Sequence, residues 1–498
     1  MRDLGARFRK GAAWVYIQGW AVTAISFAGG VAMARLLDPV DFGVFAAVTA
    51  FTSVLAHQLQ LGVPEALLRT PEDDGLVLDS AFWTMQGLAL ACFAVAWLAA
   101  PLLAQAYDDP RFVTLMRLLA AVFLVQPAAY AAMAHMRRAM RHDRAARVAV
   151  VSSLMGVASG VAAAAMGAGA FAFAVGGATS GVAMSIMAVW RSRWRPRIRF
   201  DRDKARAVLG YGLKIHVGNT LSVAADKVDT MLVGSGAGTV TLGFYNRAVA
   251  TARMPVRELL GRLYAVILPA FGRLEGAGER SRRAYRKVTT VVGASVLLAL
   301  SWLWLSAEPF ITLLYGEKWV PAVPAIRILV IAAAIGTFRG LLGMYASAVG
   351  LAGRRAWLEG VGLVVTALAV LVGLRGGLEG VAWGIVFRNA VMLVLMLELA
   401  RRHTAVGPLD VWAGAWPGIV ASGAAAAVGS AFPDGVAAPG WQGDLMALGR
   451  NAAVTVVAGL AALAAIRAVA RTHEGVQALF ELTRLGASRM RRLVRSAA

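Results

Sequence analysis

The most informative charged residues lie within a membrane-length apolar stretch, residues 209–271. Arg253 and Arg257 are four residues apart, so a helix would place both guanidinium groups on one face, which they would share with Asn246 and Tyr264. Two guanidinium groups on one face can bind phosphate oxygens through paired hydrogen bonds. Because a charge at bilayer depth is costly, we expect this face to line a polar lumen rather than to contact lipid.

Two carboxylates in the same stretch, Asp226 and Asp229, are spaced three residues apart. At this depth they could bind a proton or Na⁺ and release it, as ion coupling in a carrier requires. Alternatively, they could neutralise cations such as Lys227 or Arg247 and hold the helices together. The sequence leaves both roles open.

Further cations in apolar stretches are candidates for the same anion site. With Arg253, Arg257 and Asn246, the predicted substrate-binding residues are Arg247, Lys214, Arg117, Arg327 and Arg339. Arg117 and Arg327 could present cations to a cavity, or both could extend outwards to the membrane interface from a turn or two inside it.

No residue pattern indicates catalysis. The chain has no GxxxxGK[ST] phosphate loop, and its six histidines lack the spacing of metal ligands. Its only cysteine, Cys92, lies in an apolar run, which excludes an intramolecular disulfide and a thiolate metal site. We therefore predict that the protein is not an enzyme and that it has no catalytic residue, no metal site and no cofactor.

The composition predicts the elements that hold these side chains. Hydrophobic residues make up 59% of the 498 residues and charged residues only 16%. The apolar residues recur in runs of about 20, the length of a helix that spans a bilayer. The net charge of +22 does not indicate nucleic-acid binding, because the basic residues lie between apolar runs rather than in one soluble domain. The chain is therefore predicted to be an all-α polytopic membrane protein.

Fourteen transmembrane helices are predicted. Their approximate bounds are 13–36, 42–66, 80–102, 113–135, 146–166, 170–190, 209–234, 241–271, 288–308, 322–348, 356–374, 378–399, 411–431 and 448–468. Most of the 50 lysines and arginines of the chain lie in the N-terminus and in every second loop after it. The opposite loops hold Arg111, Lys318 and Arg375, and Arg450 lies at the edge of a helix. By the positive-inside rule, both termini are predicted to be cytoplasmic.

An internal repeat relates helices one to six to helices seven to twelve. The segment Asp41–Phe45 opens the second helix much as Thr241–Tyr245 opens the eighth. The correspondences that follow in the same order are Pro101 and Tyr107 with Pro309 and Tyr315, Arg117 with Arg327, Arg144 with Arg355, and Gly176 with Gly384. Parallel repeats with the substrate site between them are one scheme of secondary transporters. We therefore predict two parallel six-helix repeats around a central cavity, plus two extra C-terminal helices.

The predicted domain organisation follows from the repeat. It comprises an N-terminal six-helix lobe over 1–195, a cytoplasmic inter-lobe linker over 196–208, a C-terminal six-helix lobe over 209–402, two additional transmembrane helices over 403–470 and a basic cytoplasmic tail over 471–498. The basic stretch 191–206 also contains Trp194 and Phe200, which suits a linker that lies on anionic cytoplasmic lipid. The positive-inside rule alone could also explain its charge.

Four segments carry a family resemblance. They are Ala34–Gly43 (ARLLDPVDFG), Ala225–Gly234 (ADKVDTMLVG), Leu242–Tyr245 (LGFY) and Leu313–Trp319 (LLYGEKW). Together they resemble the polysaccharide transporter family of the multidrug/oligosaccharidyl-lipid/polysaccharide exporter superfamily, over essentially residues 10–405. The last two predicted helices are additional to that scheme and are not expected to take part in transport.

The resemblance implies a function. The family includes the flippases of O-antigen, capsule and exopolysaccharide synthesis. It implies a multi-pass protein of the bacterial inner membrane, surrounded by membrane lipids, that moves a polyprenyl-diphosphate-linked oligosaccharide by alternating access between two lobes. A polysaccharide polymerase and glycosyltransferases are implied as further partners. The alternative is a multidrug cation antiporter of the same superfamily, which would need an acidic, aromatic-rich cavity.

Overall fold

A computed structural model describes residues 2–59, 75–206, 209–210, 220, 223–273, 278–431, 440–469, 475–478 and 481, with the backbone alone at 2–13, 262, 264–266 and 469. These described residues form α-helices joined by short connections, and they contain no β-strand. Helices suit apolar runs because each backbone N–H and C=O group is then satisfied within its own segment, without water. The predicted all-α class is confirmed.

The chain divides into two compact units, Met1–Asn246 and Arg247–Ala498. The boundaries predicted for the lobes and the linker stay a prediction. The helices of the first unit are α1 (Arg2–Leu36), α2 (Pro39–Gln58), α3 (Gly75–Ala106), α4 (Arg111–Phe123), α5 (Gln126–Arg138), α6 (His142–Ala165), α7 (Phe171–Ser192) and the first part of α8 (Val228–Gly272).

The second unit contains the rest of α8 and the helices that follow it. They are α9 (Glu279–Leu305), α10 (Ala307–Tyr315), α11 (Val323–Ala348), α12 (Ala352–Gly373), α13 (Gly377–His403), α14 (Pro408–Ser430) and α15 (Trp441–Val469). Two short 3-10 helices, Glu317–Ala322 and Leu374–Gly376, connect α10 to α11 and α12 to α13.

Eleven helical stretches among the described residues are long and apolar enough to cross a membrane, which confirms a polytopic membrane protein. One of them, Ala352–His403, contains both α12 and α13. The predicted number of fourteen is not confirmed, and the predicted spans 42–66 and 209–234 run partly outside the described residues. Helix α8, which contains the predicted span 241–271, is not among the eleven. The predicted span 113–135 is divided into α4 and α5, because Pro127 cannot donate a backbone hydrogen bond to the preceding turn.

Helix α8 consists of two segments that meet at Gly238. This glycine has φ 82° and ψ 168°, a backbone conformation that residues with a side chain rarely adopt. The break falls between the predicted seventh and eighth spans. It separates the segment that carries Asp229 from the segment that carries Arg253 and Arg257.

At the start of its second segment, α8 crosses α2 in direct backbone contact. A Cβ atom on Gly43 would lie 1.7 Å from the carbonyl oxygen of Thr239, and one on Gly243 would lie 1.9 Å from the carbonyl oxygen of Pro39. Only glycine leaves room for the backbones to approach so closely. Gly43 and Gly243 are equivalent positions in the predicted repeat.

Connections before α2, α4 and α7 meet beside this crossing. Asp41 accepts hydrogen bonds from the backbone N–H of Ala170 at 3.1 Å and from the guanidinium of Arg111 at 3.5 Å. Arg111 also forms an ion pair with Asp109 at 2.7 Å. Burial raises the pKa of Asp109, but hydrogen bonds from Arg111 outweigh this effect, so the pKa lies below its usual value. The predicted topology places these three connections on one side of the membrane, and their contacts agree with it.

Helix α14 packs along α9 within the second unit. Asp410 at the start of α14 is 1% exposed and forms ion pairs with Arg282, at 3.1 Å, and with Arg286. Further along, Cβ atoms added to Gly414 and Gly418 would lie 2.7 Å and 2.9 Å from the nearest atoms of α9. Small residues at such spacing allow two membrane helices to pack closely. The first of the two additional helices is therefore firmly docked on α9.

We predict that Gly243→Ala lowers the thermal stability of the purified protein. The added methyl group would have to displace the backbone of α2, and overpacking of this kind costs about 1–3 kcal/mol or more. The measurement is the melting temperature of the protein in detergent.

The matched control is Gly30→Ala in α1, where no described atom lies within 4 Å of the Cβ position. Because alanine is a better helix former than glycine, this variant is expected to melt at the wild-type temperature or above it. Equal melting temperatures for the two variants would contradict the crossing.

Candidate functional site

Arg253 and Arg257 lie on an exposed face of the second segment of α8. The side chain of Arg257 is 71% exposed, and its Nε atom lies 3.6 Å from the carboxylate of the adjacent Glu258. Small and polar residues continue this face along the helix at i+3 and i+4 spacing. They are Asn246, Ala250 and Gly261. We call these five positions, the two arginines included, the arginine face.

The same segment has a second exposed face, which is apolar. Leu259 and Leu263 are 37% and 38% exposed. They lie roughly 200–240° around the helix from Arg257. Large apolar side chains suit contact with lipid, whereas guanidinium groups at bilayer depth do not. This separation of two exposed faces supports a polar environment for the arginine face.

Arg247 has a different environment, inside the second unit. Its guanidinium carbon lies 4.5 Å from the ring centre of Tyr315 and 5.4 Å from that of Trp319. Both rings are buried, and they come from the Leu313–Trp319 segment. Gly316, with φ 96°, ends α10 between them and turns the chain so that both reach the same cation. Cation–π contacts of this kind hold α8 against the end of α10.

The two candidate carboxylates also differ in environment. Asp229 is 4% exposed and accepts hydrogen bonds from the backbone N–H of Thr230 at 2.6 Å, from its hydroxyl at 3.1 Å and from the Tyr245 hydroxyl at 2.7 Å. Asp226 lies in a turn and is exposed. The Asp229–Tyr245 bond joins the two segments of α8 across the break at Gly238. The donors are backbone and hydroxyl groups rather than Lys227 or Arg247, so Asp229 joins the helix segments without the cations that the structural alternative names.

Arg117 and Arg327, which are equivalent in the predicted repeat, have equivalent contacts. The guanidinium carbon of Arg117 lies 4.4 Å from the ring centre of Trp97, and that of Arg327 lies 5.9 Å from the ring centre of Trp304. The two tryptophans are 42% and 36% exposed. Partly exposed tryptophans are typical of the membrane interface. The contacts therefore favour the second alternative, in which both arginines extend to that interface.

Arg339 of α11 forms an ion pair at 3.1 Å with Glu359 of α12, whose side chain is 11% exposed. The Nε atom of Arg339 is buried and has no hydrogen-bond partner among the described residues. In α13, Arg388 is buried and donates to Asn389, which in turn donates to a backbone carbonyl of α11 at 2.9 Å. Sequence reasoning did not identify Glu359. Its only signal was that it is a single acid within an apolar span.

Not all of the predicted residues can be placed. Lys214 and the side chain of Tyr264 lie outside the described residues, and Asn246 is half-buried. No group of three or more histidine, cysteine or acidic side chains in the described part of the chain could hold a metal ion. The arginine face is thus the part of the predicted site that the structure brings together. The other placed cations, Arg247, Arg117, Arg327 and Arg339, have aromatic or acidic neighbours of their own.

A match to a protein-family model, together with similar proteins, indicates the family of this chain. The family model described as "Polysaccharide biosynthesis protein" matches residues 32–324. The lipopolysaccharide biosynthesis protein WzxC of Escherichia coli (strain K12) is 20% identical over 64% of this chain and 65% of its own, so the match spans slightly less than two thirds of that relative. The teichuronic acid biosynthesis protein TuaB of Bacillus subtilis (strain 168) is 23% identical over 77% of this chain and 80% of its own.

The fold is similar to a solved structure of the lipid II flippase MurJ in an inward closed conformation. The TM-score is 0.70, and the match covers 91% of this chain and 99% of that chain. Sequence identity in this match is 10%, so the likeness concerns the fold alone. Because the family model matches more than half of the sequence, this chain belongs to the polysaccharide biosynthesis protein family.

Proposed function

We propose that the protein is a flippase that exports lipid-diphosphate-linked oligosaccharide repeat units across the bacterial inner membrane by alternating access. The exported units would serve the synthesis of exopolysaccharide, capsule or lipopolysaccharide. The observation that carries the proposal is the arginine face, on which two guanidinium groups are exposed on a helix that is long enough to cross a membrane. Such groups are costly in lipid, and a diphosphate offers oxygens that match their planar donors.

The relatives support the class of cargo. WzxC is named for lipopolysaccharide biosynthesis, TuaB for teichuronic acid biosynthesis and MurJ for flipping lipid II. We infer that the cargo of this chain is a polyprenyl-diphosphate-linked oligosaccharide. Glycosyltransferases that assemble it in the cytoplasm and a polymerase that consumes it after export are the partners that this chemistry requires.

The alternative, multidrug cation antiport, has less support. The arginine face carries two cations, which would repel a cationic drug. Asp229, the buried acid of the same helix, already accepts three hydrogen bonds and is poorly placed to bind one. An anionic cargo fits these charges better.

The crossing of Gly43 and Gly243 suggests how access alternates. It lies beside Asp41, at the end of the first unit that the predicted topology places in the periplasm. We propose that this contact belongs to a state that is closed at the periplasmic side. Release of cargo to the periplasm then requires the two glycines to separate.

Removing either arginine of the arginine face is expected to reduce export at least tenfold. A hydrogen bond to a charged group is worth roughly 1.5–3 kcal/mol, so Arg253→Ala and Arg257→Ala should each lose about this much cargo binding. The measurement is polysaccharide export in cells that lack the native copy, with the amount of membrane-inserted protein determined in parallel.

Two controls accompany these variants. Arg253→Lys and Arg257→Lys should keep part of the export activity. The lysine ammonium keeps the positive charge but cannot donate the two parallel hydrogen bonds of a planar guanidinium group. Arg273→Ala removes an exposed arginine just beyond the end of the same helix and should export at the wild-type level. Wild-type export by both alanine variants would leave the proposed cargo site without support.

We propose that an ion gradient drives transport, with Asp226 and Asp229 as the candidate coupling carboxylates. The hydrogen bonds of Asp229 make Asp226 the stronger candidate. Asp226 is exposed, so it can exchange a proton or Na⁺ without breaking the Asp229–Tyr245 bond.

For Asp229→Asn we predict a loss of stability without a change in coupling. A buried charged acceptor of three hydrogen bonds becomes neutral, which should lower the free energy of unfolding by about 1–3 kcal/mol. Tyr245→Phe removes one of the three donors and should also lower the free energy of unfolding. The double variant should lose less of this free energy than the two single variants lose together, because both single variants disrupt the same hydrogen bond. Melting temperatures and vesicle transport under separately imposed pH, Na⁺ and voltage gradients provide the measurements.

Asp226→Asn is the matched comparison. As an exposed substitution it should change the free energy of unfolding by no more than about 0.5 kcal/mol. Its transport should become independent of the pH or Na⁺ gradient. Retained gradient dependence in this variant, or lost dependence in Asp229→Asn, would refute the assignment.

The proposed orientation, with both termini cytoplasmic, can be tested by cysteine labelling in a Cys92→Ala background. Gln442→Cys should react with a membrane-impermeant thiol reagent added to intact spheroplasts, and Arg280→Cys should react only after permeabilisation. Both positions are exposed in the folded protein, so burial does not limit either reaction. The reverse pattern would invert the topology.

A further inference from the structure

The basic stretch 193–206 is folded against the beginning of α3. Trp194 donates its indole N–H to Asp79 at 3.1 Å, and Trp83 donates its indole N–H to the backbone carbonyl of Arg197 at 2.8 Å. Asp79 is 4% exposed, so the first of these bonds is shielded from water. The stretch is therefore an ordered part of the first unit rather than a loose tether.

A short helical turn over residues 202–206 ends this stretch. Asp201 begins the turn, and its side chain accepts two backbone hydrogen bonds, both at 3.0 Å. Arg202 and Arg206 are four residues apart on the turn and therefore share a face. Both are exposed, and neither has a hydrogen-bond or ion-pair partner among the residues that the structure describes.

A groove with a volume of about 770 Å³ lies between this turn and α3. Trp83, Gly87 and Ala91 form its α3 wall, and Phe200 contributes a further aromatic side chain. The two arginines of the turn also line it, and the described lining residues include no acid. No described atom lies within 4 Å of a Cβ position on Gly87, so the groove is open along its α3 wall.

The groove matches the chemistry of an anionic phospholipid. Its apolar wall follows α3, a helix that is long and apolar enough to cross the membrane, and its cations lie where α3 begins. The predicted topology places this end in the cytoplasm, where the leaflet is rich in anionic lipid and attracts clustered basic residues. The rings of Trp83 and Trp194 both pack against Phe82, and tryptophan is enriched at membrane interfaces.

We propose that this groove binds an anionic phospholipid of the cytoplasmic leaflet. The headgroup phosphate lies against Arg202 and Arg206, and one acyl chain follows α3 past Gly87 and Ala91. The volume is within the roughly 300–1,000 Å³ of pockets that enclose organic ligands of this scale. The proposal goes beyond the transport function and does not depend on it. A lipid in this position fastens the stretch 193–206 to α3.

The test uses the full chain reconstituted in phosphatidylcholine vesicles with a trace of phosphatidylglycerol that carries a photoreactive group in its acyl chain. After illumination, peptide mass spectrometry measures the cross-link yield on residues 83–91 of α3. At constant total lipid and constant photoprobe, replacing part of the phosphatidylcholine by unlabelled phosphatidylglycerol should suppress these cross-links, and replacing the same part by neutral phosphatidylethanolamine should not. Suppression by both lipids alike would overturn the proposal, because the groove would then not select an anion.

Three variants distinguish binding in the groove from a general electrostatic attraction between the anionic lipid and a basic protein. The double variant Arg202→Ala/Arg206→Ala should reduce the yield about 25-fold, since each basic group near an anionic lipid contributes about fivefold. Arg199→Ala removes an exposed charge from the same stretch, outside the groove, and should reduce the yield far less than the double variant does. Gly87→Leu fills the groove, keeps both arginines and should also lose the cross-links.

Other results would refute the assignment. Equal losses in Arg199→Ala and in the double variant would indicate diffuse electrostatic attraction. An unchanged yield in Gly87→Leu would show that the acyl chain lies elsewhere. Stronger suppression by undecaprenyl diphosphate than by phosphatidylglycerol would assign the groove to a transported lipid instead, and stronger suppression by an acidic peptide would assign it to a protein partner.

Discussion

The cost of a charge in hydrocarbon is the constraint on which this structure depends. The buried charges described above are compensated within their own unit: Arg247 by two aromatic rings, Asp229 by three hydrogen bonds, and Asp410 by two arginines. Arg253 and Arg257 differ from these buried charges. They remain exposed on a membrane-length helix whose apolar side chains occupy a different face, which is reasonable only if a polar environment or a ligand meets them.

The segments that carry the family resemblance have structural roles in this chain. Leu313–Trp319 supplies the two rings that enclose Arg247, and Leu242–Tyr245 supplies both Gly243 of the helix crossing and the hydroxyl that binds Asp229. These motifs therefore fix how helices meet near their ends. All five positions of the arginine face lie outside them. A shared motif set would then specify the scaffold, whereas cargo preference would depend on helix faces that the motifs do not cover.

Much of the fold could be predicted from the sequence, because apolar length and loop charge act locally. The helical class, most helix positions and the break between the seventh and eighth spans followed from these patterns. The pairing of side chains could not be predicted, since it depends on which helices pack together. Glu359 opposite Arg339 and Tyr245 opposite Asp229 belong to this second kind. The candidate carboxylates illustrate the limit: their spacing suggested a pair, but the turn before α8 leaves Asp226 exposed while Asp229 is buried.

The crossing of α2 and α8 is reciprocal, because Gly43 meets Thr239 and Gly243 meets Pro39. These are the same pair of positions with the two predicted repeats exchanged. Reciprocity of this kind defines an isologous interface between identical subunits. If the predicted repeats descend from one duplicated unit, a single codon once determined both halves of this contact. In the present chain each half can change alone, so Gly43 and Gly243 can be substituted independently where the two copies in a symmetric dimer could not.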